Sequence, residues 1–406
     1  MYNSHSGHKS YLQNKLCEII AMTHKKFSLL INHKLVAGYM GNQLQYSDQH
    51  SFWLLRTISN SKWNLWFDVL NYLFFPKYWV EHARLYFSPK SKRSFSREGI
   101  HVEVPPMGSL NSMKYLAPFP QQLETTLYFN KLVEHLKRKG YKEGFDLYGA
   151  PHELDEHFVE LKVLVESSYN KTGGKRVTLV GHSMGGNIAY IFLRNQTKVW
   201  KQKYIKALIT IGTPWGGGFK YIYGFLHDDD YPANLFRVIR EAERTYPSYT
   251  FLVPTKTIWN NTVLIETPSK NYTVDNLKEF FEKINNTLAY EMYEASQDDA
   301  TLELKHPEVD VYCIGGLGFK TLHGLKYDND NFSKNETVLF ADGDTFVNKE
   351  ALEGCLRWSP QKTNLATFNF EYKIFNADHL QLIRNDEPVD YLVKLITELK
   401  YSVKSA

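Results

Sequence analysis

Cysteine is scarce. Cys17, Cys313 and Cys355 are the only three in 406 residues, so at most one intrachain disulfide forms and no cysteine framework replaces a hydrophobic core. Charge of one sign is lacking too: the formal net charge is only +4 and no basic block stands out, which argues against nucleic acid as a partner. No apolar run is long enough for a transmembrane segment. The most aromatic stretch, Trp63 to Trp79, is interrupted by Asn64, Asp68, Asn71, Pro76 and Lys77. A signal peptide is not evident either. Met1 to His8 lacks the basic-then-apolar layout, and the apolar patch from Leu16 to Met22 is short and broken.

What the chain does have is length enough for a large core with sizeable insertions, and aromatic residues at 15%. It also has seven Asn-x-Ser/Thr triplets, beginning at Asn170, Asn195, Asn260, Asn271, Asn285, Asn331 and Asn335. That number favours passage through the secretory pathway, lysosomal or extracellular.

The strongest local signal is Val177-Thr-Leu-Val-Gly181-His-Ser183-Met-Gly185-Gly186-Asn187. It reads as a buried strand, a tight Gly-x-Ser-x-Gly turn and a helix whose buried side is Ile188, Ala189, Ile191, Phe192 and Leu193. In such a nucleophile elbow the small residues let strand and helix approach while the serine hydroxyl stands exposed. The first N–H groups of the helix face any oxyanion formed there. His182 lies beside the serine on the wrong side of the strand to be its base, and reads as a packed or hydrogen-bonded filler.

A serine hydroxyl needs a histidine to take its proton and a carboxylate to orient the imidazole. In this kind of fold the chain order is Ser, Asp or Glu, His, with the last two on loops after late strands. Asp344 follows the run Val338-Leu-Phe-Ala-Asp342-Gly343, and His379 follows the run Phe368 to Phe375. Asp342 and Asp378 are near rivals, but Asp344 sits at the turn whereas Asp342 still belongs to the strand. The strand-like run Phe27 to Ala37 leads into the loop Gly38-Tyr39-Met40-Gly41, where a second oxyanion N–H, that of Tyr39, is expected. Helical patterns at Leu123–Lys139, Asp155–Tyr169 and Tyr391–Lys400 alternate with strand runs at Ile205–Ile211 and Asp310–Gly315. The alternation predicts an α/β class with a mostly parallel, doubly wound sheet.

Two stretches fall outside that alternation. Trp53 to Trp79 either packs its rings into a small core of its own or dips them into a lipid interface, and the two are compatible. Phe219 to Val253 is rich in Tyr, Asp, Pro and Arg and weakly periodic, as a movable cover or a fixed excursion would be. The expected organisation is an N-terminal extension over 1–27 and an α/β-hydrolase domain over 28–406. Within it lie an aromatic insertion at 48–88 and a lid or cap at 214–300.

From about Leu35 to the last helix the chain resembles the lecithin:cholesterol acyltransferase and lysosomal phospholipase A2 (group XV) family. The matching blocks are 38–44 (GYMGNQL), 181–185 (GHSMG), 212–217 (GTPWGG), 267–273 (TPSKNYT), 311–313 (VYC) and 342–344 (DGD). The resemblance implies Ser183, Asp344 and His379 as nucleophile, acid and base, and Tyr39 and Met184 as oxyanion N–H donors. It implies membrane contact through the aromatic insertion, including Trp63, Trp66, Phe67, Phe74 and Phe75, and a Cys313–Cys355 disulfide whose loop closure would stabilise by about 4 kcal/mol. The implied chemistry is a phospholipase A or O-acyltransferase reaction. An acyl-serine forms from a glycerophospholipid and passes its chain to water or to a lipid alcohol of sterol or ceramide type. No metal or cofactor is implied, and the partner is a phospholipid membrane or lipoprotein surface. Met184 favours the lysosomal phospholipase branch. Two other readings stand beside it: a neutral-lipid or general carboxylic ester hydrolase, and a lipid-binding protein without turnover.

The chain also departs from the family. Ala37 replaces a proline, the usual Tyr-Asp-Trp-Arg after Ala150-Pro151 is absent, both cysteines of the insertion are missing, and Phe346 stands where threonine is usual.

Fifteen histidines make the net charge rise steeply in acid. Binding to vesicles containing anionic lipid is therefore expected to strengthen between neutral and acid pH. Vesicle sedimentation at the two pH values measures this, and unchanged binding would count against it.

Overall fold

The computed structural model describes residues 32–37, 41, 43–48, 63–66, 75–116, 127–151, 157–227, 237–297, 302–333, 336–360, 362 and 367–401. Its centre is a sheet of six strands: β1 (Asn32–Val36), β2 (Leu147–Ala150), β3 (Val177–His182), β4 (Ile205–Ile211), β5 (Asp310–Gly316) and β6 (Phe370–Phe375). Their spatial order is β6-β5-β4-β3-β1-β2, and every neighbouring pair is parallel.

A parallel sheet is covered on both faces, and the strand sequences show it. Every residue of β2, β3, β4 and β5 is buried. Alternate residues feed different cores, because successive side chains point to opposite faces. Val36, Val177, Leu179 and Leu208 join one cluster, against the helices His157–Lys171 and Met184–Arg194. Leu35, Val180, Ile209 and Ile211 join the other, with Leu132, Val133 and Leu136 of the helix Asn130–Arg138 and Leu392, Val393 and Ile396 of the helix Asp386–Tyr401. The sheet is thus the doubly wound type that the alternation predicts.

Three differences of detail appear. The helix expected from Leu123 begins at Asn130, and the last helix begins at Asp386 rather than Tyr391. The run ending in Asp342-Gly343 is a strand, Glu336–Gly343, but not of the central sheet. It pairs antiparallel with Phe319–Tyr327 in a separate four-stranded sheet. Periodicity identifies a strand and does not say which sheet receives it.

The aromatic region has a core of its own. Leu65 of the strand Trp63–Trp66 and Trp79, Val80 and Ala83 of the helix Pro76–Ala83 cluster with Tyr46 and Ile100. The Trp79 indole N–H donates to the Leu65 carbonyl at 2.8 Å. Ile239 and Ala242 of the helix Arg237–Glu243 complete the same cluster, and the Leu85 N–H donates to Thr245 Oγ1 at 3.0 Å. So the aromatic region is packed against part of the segment following β4. That segment contains further helices at Phe219–Leu226 and Pro247–Phe251, which its weak periodicity did not announce. Among the described residues no helix is long and apolar enough to cross a membrane.

Helix Met184–Arg194 reaches the sheet only because three glycines leave room. A Cβ at Gly181 would lie 2.5 Å from the Gly185 carbonyl oxygen and the Gly186 nitrogen. At Gly185 it would lie 2.4 Å from the Val36 oxygen and 2.3 Å from the Ala37 oxygen. At Gly186 it would meet Thr213 Oγ1 at 2.0 Å. Backbone on backbone cannot rotate aside, so Gly185→Ala is expected to destabilise the fold by about 1–3 kcal/mol, as overpacked cores do. Urea denaturation of the purified variant measures this, and an unchanged midpoint would contradict the packing described.

Candidate active site

Ser183 stands between the last residue of β3 and the first residue of the following helix, with φ 58° and ψ −133°. A non-glycine residue there is strained by about 1–3 kcal/mol. The strain is held by the packed glycines and by the Ser183 N–H, which donates to the Ile211 carbonyl of β4 at 2.7 Å. Met184 opens the helix, so its N–H has no acceptor within the helix and faces the end where the serine stands.

Asp344 follows the strand Glu336–Gly343 and is fully buried. Its carboxylate accepts the His379 Nδ1–H at 2.7 Å through one oxygen. The other oxygen accepts the N–H groups of Val347 at 2.7 Å and Phe346 at 3.1 Å. The backbone joins the same pair, since the His379 N–H donates to the Asp344 carbonyl at 2.8 Å. With Nδ1 occupied, Nε2 is the ring nitrogen of His379 left to exchange a proton. The rival aspartates have other tasks. Asp342 is exposed and accepts from the N–H groups of Gly318 and Gly343. Asp378 accepts from those of Leu380 and Gln381, at the start of the helix Gln381–Arg384.

The sheet brings these residues together. Ser183 follows β3 and His379 follows β6, both at carboxyl ends of parallel strands, where open α/β sheets place their sites. Gly212, just after β4, has φ 55°, and a Cβ on it would come within 3.0 Å of His379 Nδ1. Glycine there leaves space for the imidazole.

His182 is hydrogen-bonded filler, as the sequence reading has it, but its partners are specific. Tyr128 Oη lies 2.6 Å from its Nδ1, and its Nε2 lies 3.0 Å from the His379 carbonyl oxygen. Burial first, and the neighbouring His379 imidazole second, hold His182 well below the usual histidine range, so it stays neutral. Both ring nitrogens are engaged, which removes it as a base for the serine.

Phe346 is stacked on the His379 ring, with centroids 5.3 Å apart and planes at 24°, and Lys220 Nζ lies 3.8 Å from the centre of the Phe346 ring. Tyr128 and Lys220 carry no motif that marks them in the sequence; only the folded chain brings them to the site.

Several expected residues fall elsewhere. Tyr39, Phe67, Phe74, Cys17 and residues 152–156 after Pro151 lie outside the described residues, as does the Trp63 side chain. Trp66 is half-buried against Trp79, with ring centroids 6.2 Å apart, whereas Phe75 is 61% exposed. Cys313 and Cys355 correct the disulfide expectation: both are buried free thiols here, side by side and unjoined. Burial, followed by the hydrogen bond with Cys313, raises the Cys355 thiol well above its ordinary range and keeps it protonated. Among the described residues no cluster of His, Cys, Asp and Glu could hold a metal ion.

The sequence model of the lecithin:cholesterol acyltransferase family matches residues 61–386. Phosphatidylcholine-sterol acyltransferase of Gallus gallus is 30% identical over 367 residues, covering 86% of each chain. Lysosomal phospholipase A and acyltransferase of Rattus norvegicus is 29% identical over 380 residues, covering 90% of each, and that of Homo sapiens is 28% identical over 380 residues. Among solved structures, a chain of the Tle4-Tli4 complex superposes with a TM-score of 0.52 at 10% identity, over 91% of this chain and 98% of that one. With the elbow, the parallel sheet and the family match in hand, the chain belongs to the lecithin:cholesterol acyltransferase family and has its α/β-hydrolase fold.

Proposed function

We propose that the protein is a serine-dependent phospholipase A and O-acyltransferase, with Ser183 as nucleophile, His379 as base and Asp344 as the carboxylate that orients it. The observation that carries this is the 2.7 Å Asp344–His379 hydrogen bond at the same sheet end as a strained elbow serine, in a chain of this family. Ser183 Oγ attacks an acyl ester carbonyl while His379 Nε2 takes its proton. Asp344 remains ionised and stabilises the imidazolium. The Met184 N–H, with that of Tyr39 as the second donor, stabilises the oxyanion. The imidazolium then gives its proton to the departing lysophospholipid oxygen. In the second half-reaction His379 deprotonates water or a lipid alcohol, which takes the acyl chain from Ser183. The relatives' names supply the substrate class: a phosphatidylcholine-sterol acyltransferase and a lysosomal phospholipase A and acyltransferase. The buried, fully hydrogen-bonded Asp344 argues against a lipid-binding protein without turnover.

The insertion at 48–88 is the proposed membrane contact and 214–300 the proposed lid. Besides Phe75 and Tyr78, a neighbouring hairpin of the strands Leu85–Ser88 and Arg93–Ser96 exposes the cross-strand pair Tyr86 and Phe95. Its exposed tip carries Lys90 and Lys92, and no acidic residue lies between Arg84 and Arg97. Aromatic rings beside lysines suit the boundary of an anionic bilayer. The six described sequon asparagines, Asn170, Asn195, Asn260, Asn271, Asn285 and Asn331, are all exposed, which supports passage through the secretory pathway.

A fluorophosphonate probe should label the purified protein and leave Ser183→Ala unlabelled. Asp344→Asn should lower turnover of phosphatidylcholine vesicles by roughly 10³–10⁴-fold. Unlabelled, well-folded protein would overturn the assignment. Adding ceramide or sterol and following the acyl chain by mass spectrometry identifies the acceptor, and cleavage of triacylglycerol in place of phospholipid would instead favour the neutral-lipid reading.

Charge reversal at the hairpin, Lys90→Glu with Lys92→Glu, should weaken sedimentation with phosphatidylcholine–phosphatidylserine vesicles by about 1 kcal/mol or more per residue. Hydrolysis of a soluble ester should not change. Wild-type sedimentation of the variant would remove the hairpin from the contact.

A further inference from the structure

We propose that His182, backed by Tyr128, is a positioning residue that holds the main chain of His379 and so sets the base against the nucleophile. The inference rests on the proposed triad. A carbonyl oxygen only accepts, so the 3.0 Å contact between His182 Nε2 and the His379 carbonyl requires a proton on Nε2. Neutral imidazole then has a bare Nδ1, which accepts the Tyr128 hydroxyl proton at 2.6 Å. One tautomer satisfies both bonds, and burial keeps the ring neutral.

The consequence follows from which residue holds which. Asp344 ties His379 twice, at the ring and at the main-chain N–H. Both ties run to the separate four-stranded sheet. The His182 bond runs the other way, to the residue that precedes Ser183 in the chain. It therefore references the base to the nucleophile's own strand. Tyr128 is itself fixed: its N–H donates to the Lys114 carbonyl at 2.9 Å, and its ring meets that of His182 edge-on with centroids 5.3 Å apart. The circuit closes through Arg384, whose guanidinium donates to the Leu127 carbonyl from the helix that follows His379. The rings of His182 and His379 are 4.6 Å apart, so a neutral His182 adds no repulsion when His379 takes up the serine proton.

Two near-isosteric replacements separate this role from plain packing. His182→Gln can place an amide N–H where Nε2–H stands and keep the bond to the His379 carbonyl. His182→Asn reaches only the Nδ1 position and loses it. Steady-state hydrolysis of a soluble p-nitrophenyl ester, with thermal unfolding measured alongside, gives the comparison. His182→Gln should retain most of kcat. His182→Asn should lose roughly tenfold to a hundredfold in kcat, as misplacement of a reacting group does, with KM little changed and a matching loss in the rate of fluorophosphonate labelling. Tyr128→Phe should fall between them and decides the matter should the Asn variant fail to fold. Equal kcat for the Gln and Asn variants, or wild-type kcat in Tyr128→Phe where the Asn variant is unfolded, would overturn the inference. Failure of the triad itself looks different, because the wild-type protein would then neither turn over nor label.

Discussion

The approach of one helix to one parallel sheet is the constraint on which the rest depends. Gly181 and Gly185 allow backbone to meet backbone at distances no Cβ would permit, and Gly186 leaves room for the Thr213 side chain. That contact keeps Ser183 at positive φ with its N–H committed to β4. Strain of this kind persists only where surrounding packing over-determines it. Here the surroundings are two apolar clusters on opposite faces of the sheet, fed by alternate residues of the same strands.

The proposed triad is drawn from two sheets. Ser183 and His379 follow strands of the parallel sheet, whereas Asp344 follows a strand of the mixed four-stranded one. The carboxylate is out of water, and the amides of Phe346 and Val347 together with the His379 ring compensate its burial. Those bonds also lock the small sheet onto the end of the large one. The aromatic region is tied in the same way, since Trp79 and Ile239 share a cluster.

Much of this was legible in the chain. The strand-like run Val177–Val180 before Gly181 and the Gly-x-Ser-x-Gly spacing identify an elbow because only small residues tolerate that turn. The order Ser183, Asp344, His379 follows from loops after late strands. The helix at Phe219–Leu226 was less legible, since a segment buried nearly all round lacks a polar face and shows weak periodicity. The strand before Asp344 was recognisable, yet its sheet was not. The disulfide implied for Cys313 and Cys355 depended on resemblance; the structure has two adjacent thiols.

By itself the sequence determined the residue types, their order and the turn that presents the serine, because these depend on spacing and backbone sterics within a few residues. Only tertiary structure decided which neighbours those residues keep. Tyr128 and His182 are far apart in the chain, as are Phe346 and His379, and their contacts exist because separate elements end at the same place. Hydrogen bonds over such separations leave no period in the sequence, so the role of His182 became visible only once the His379 carbonyl stood beside it.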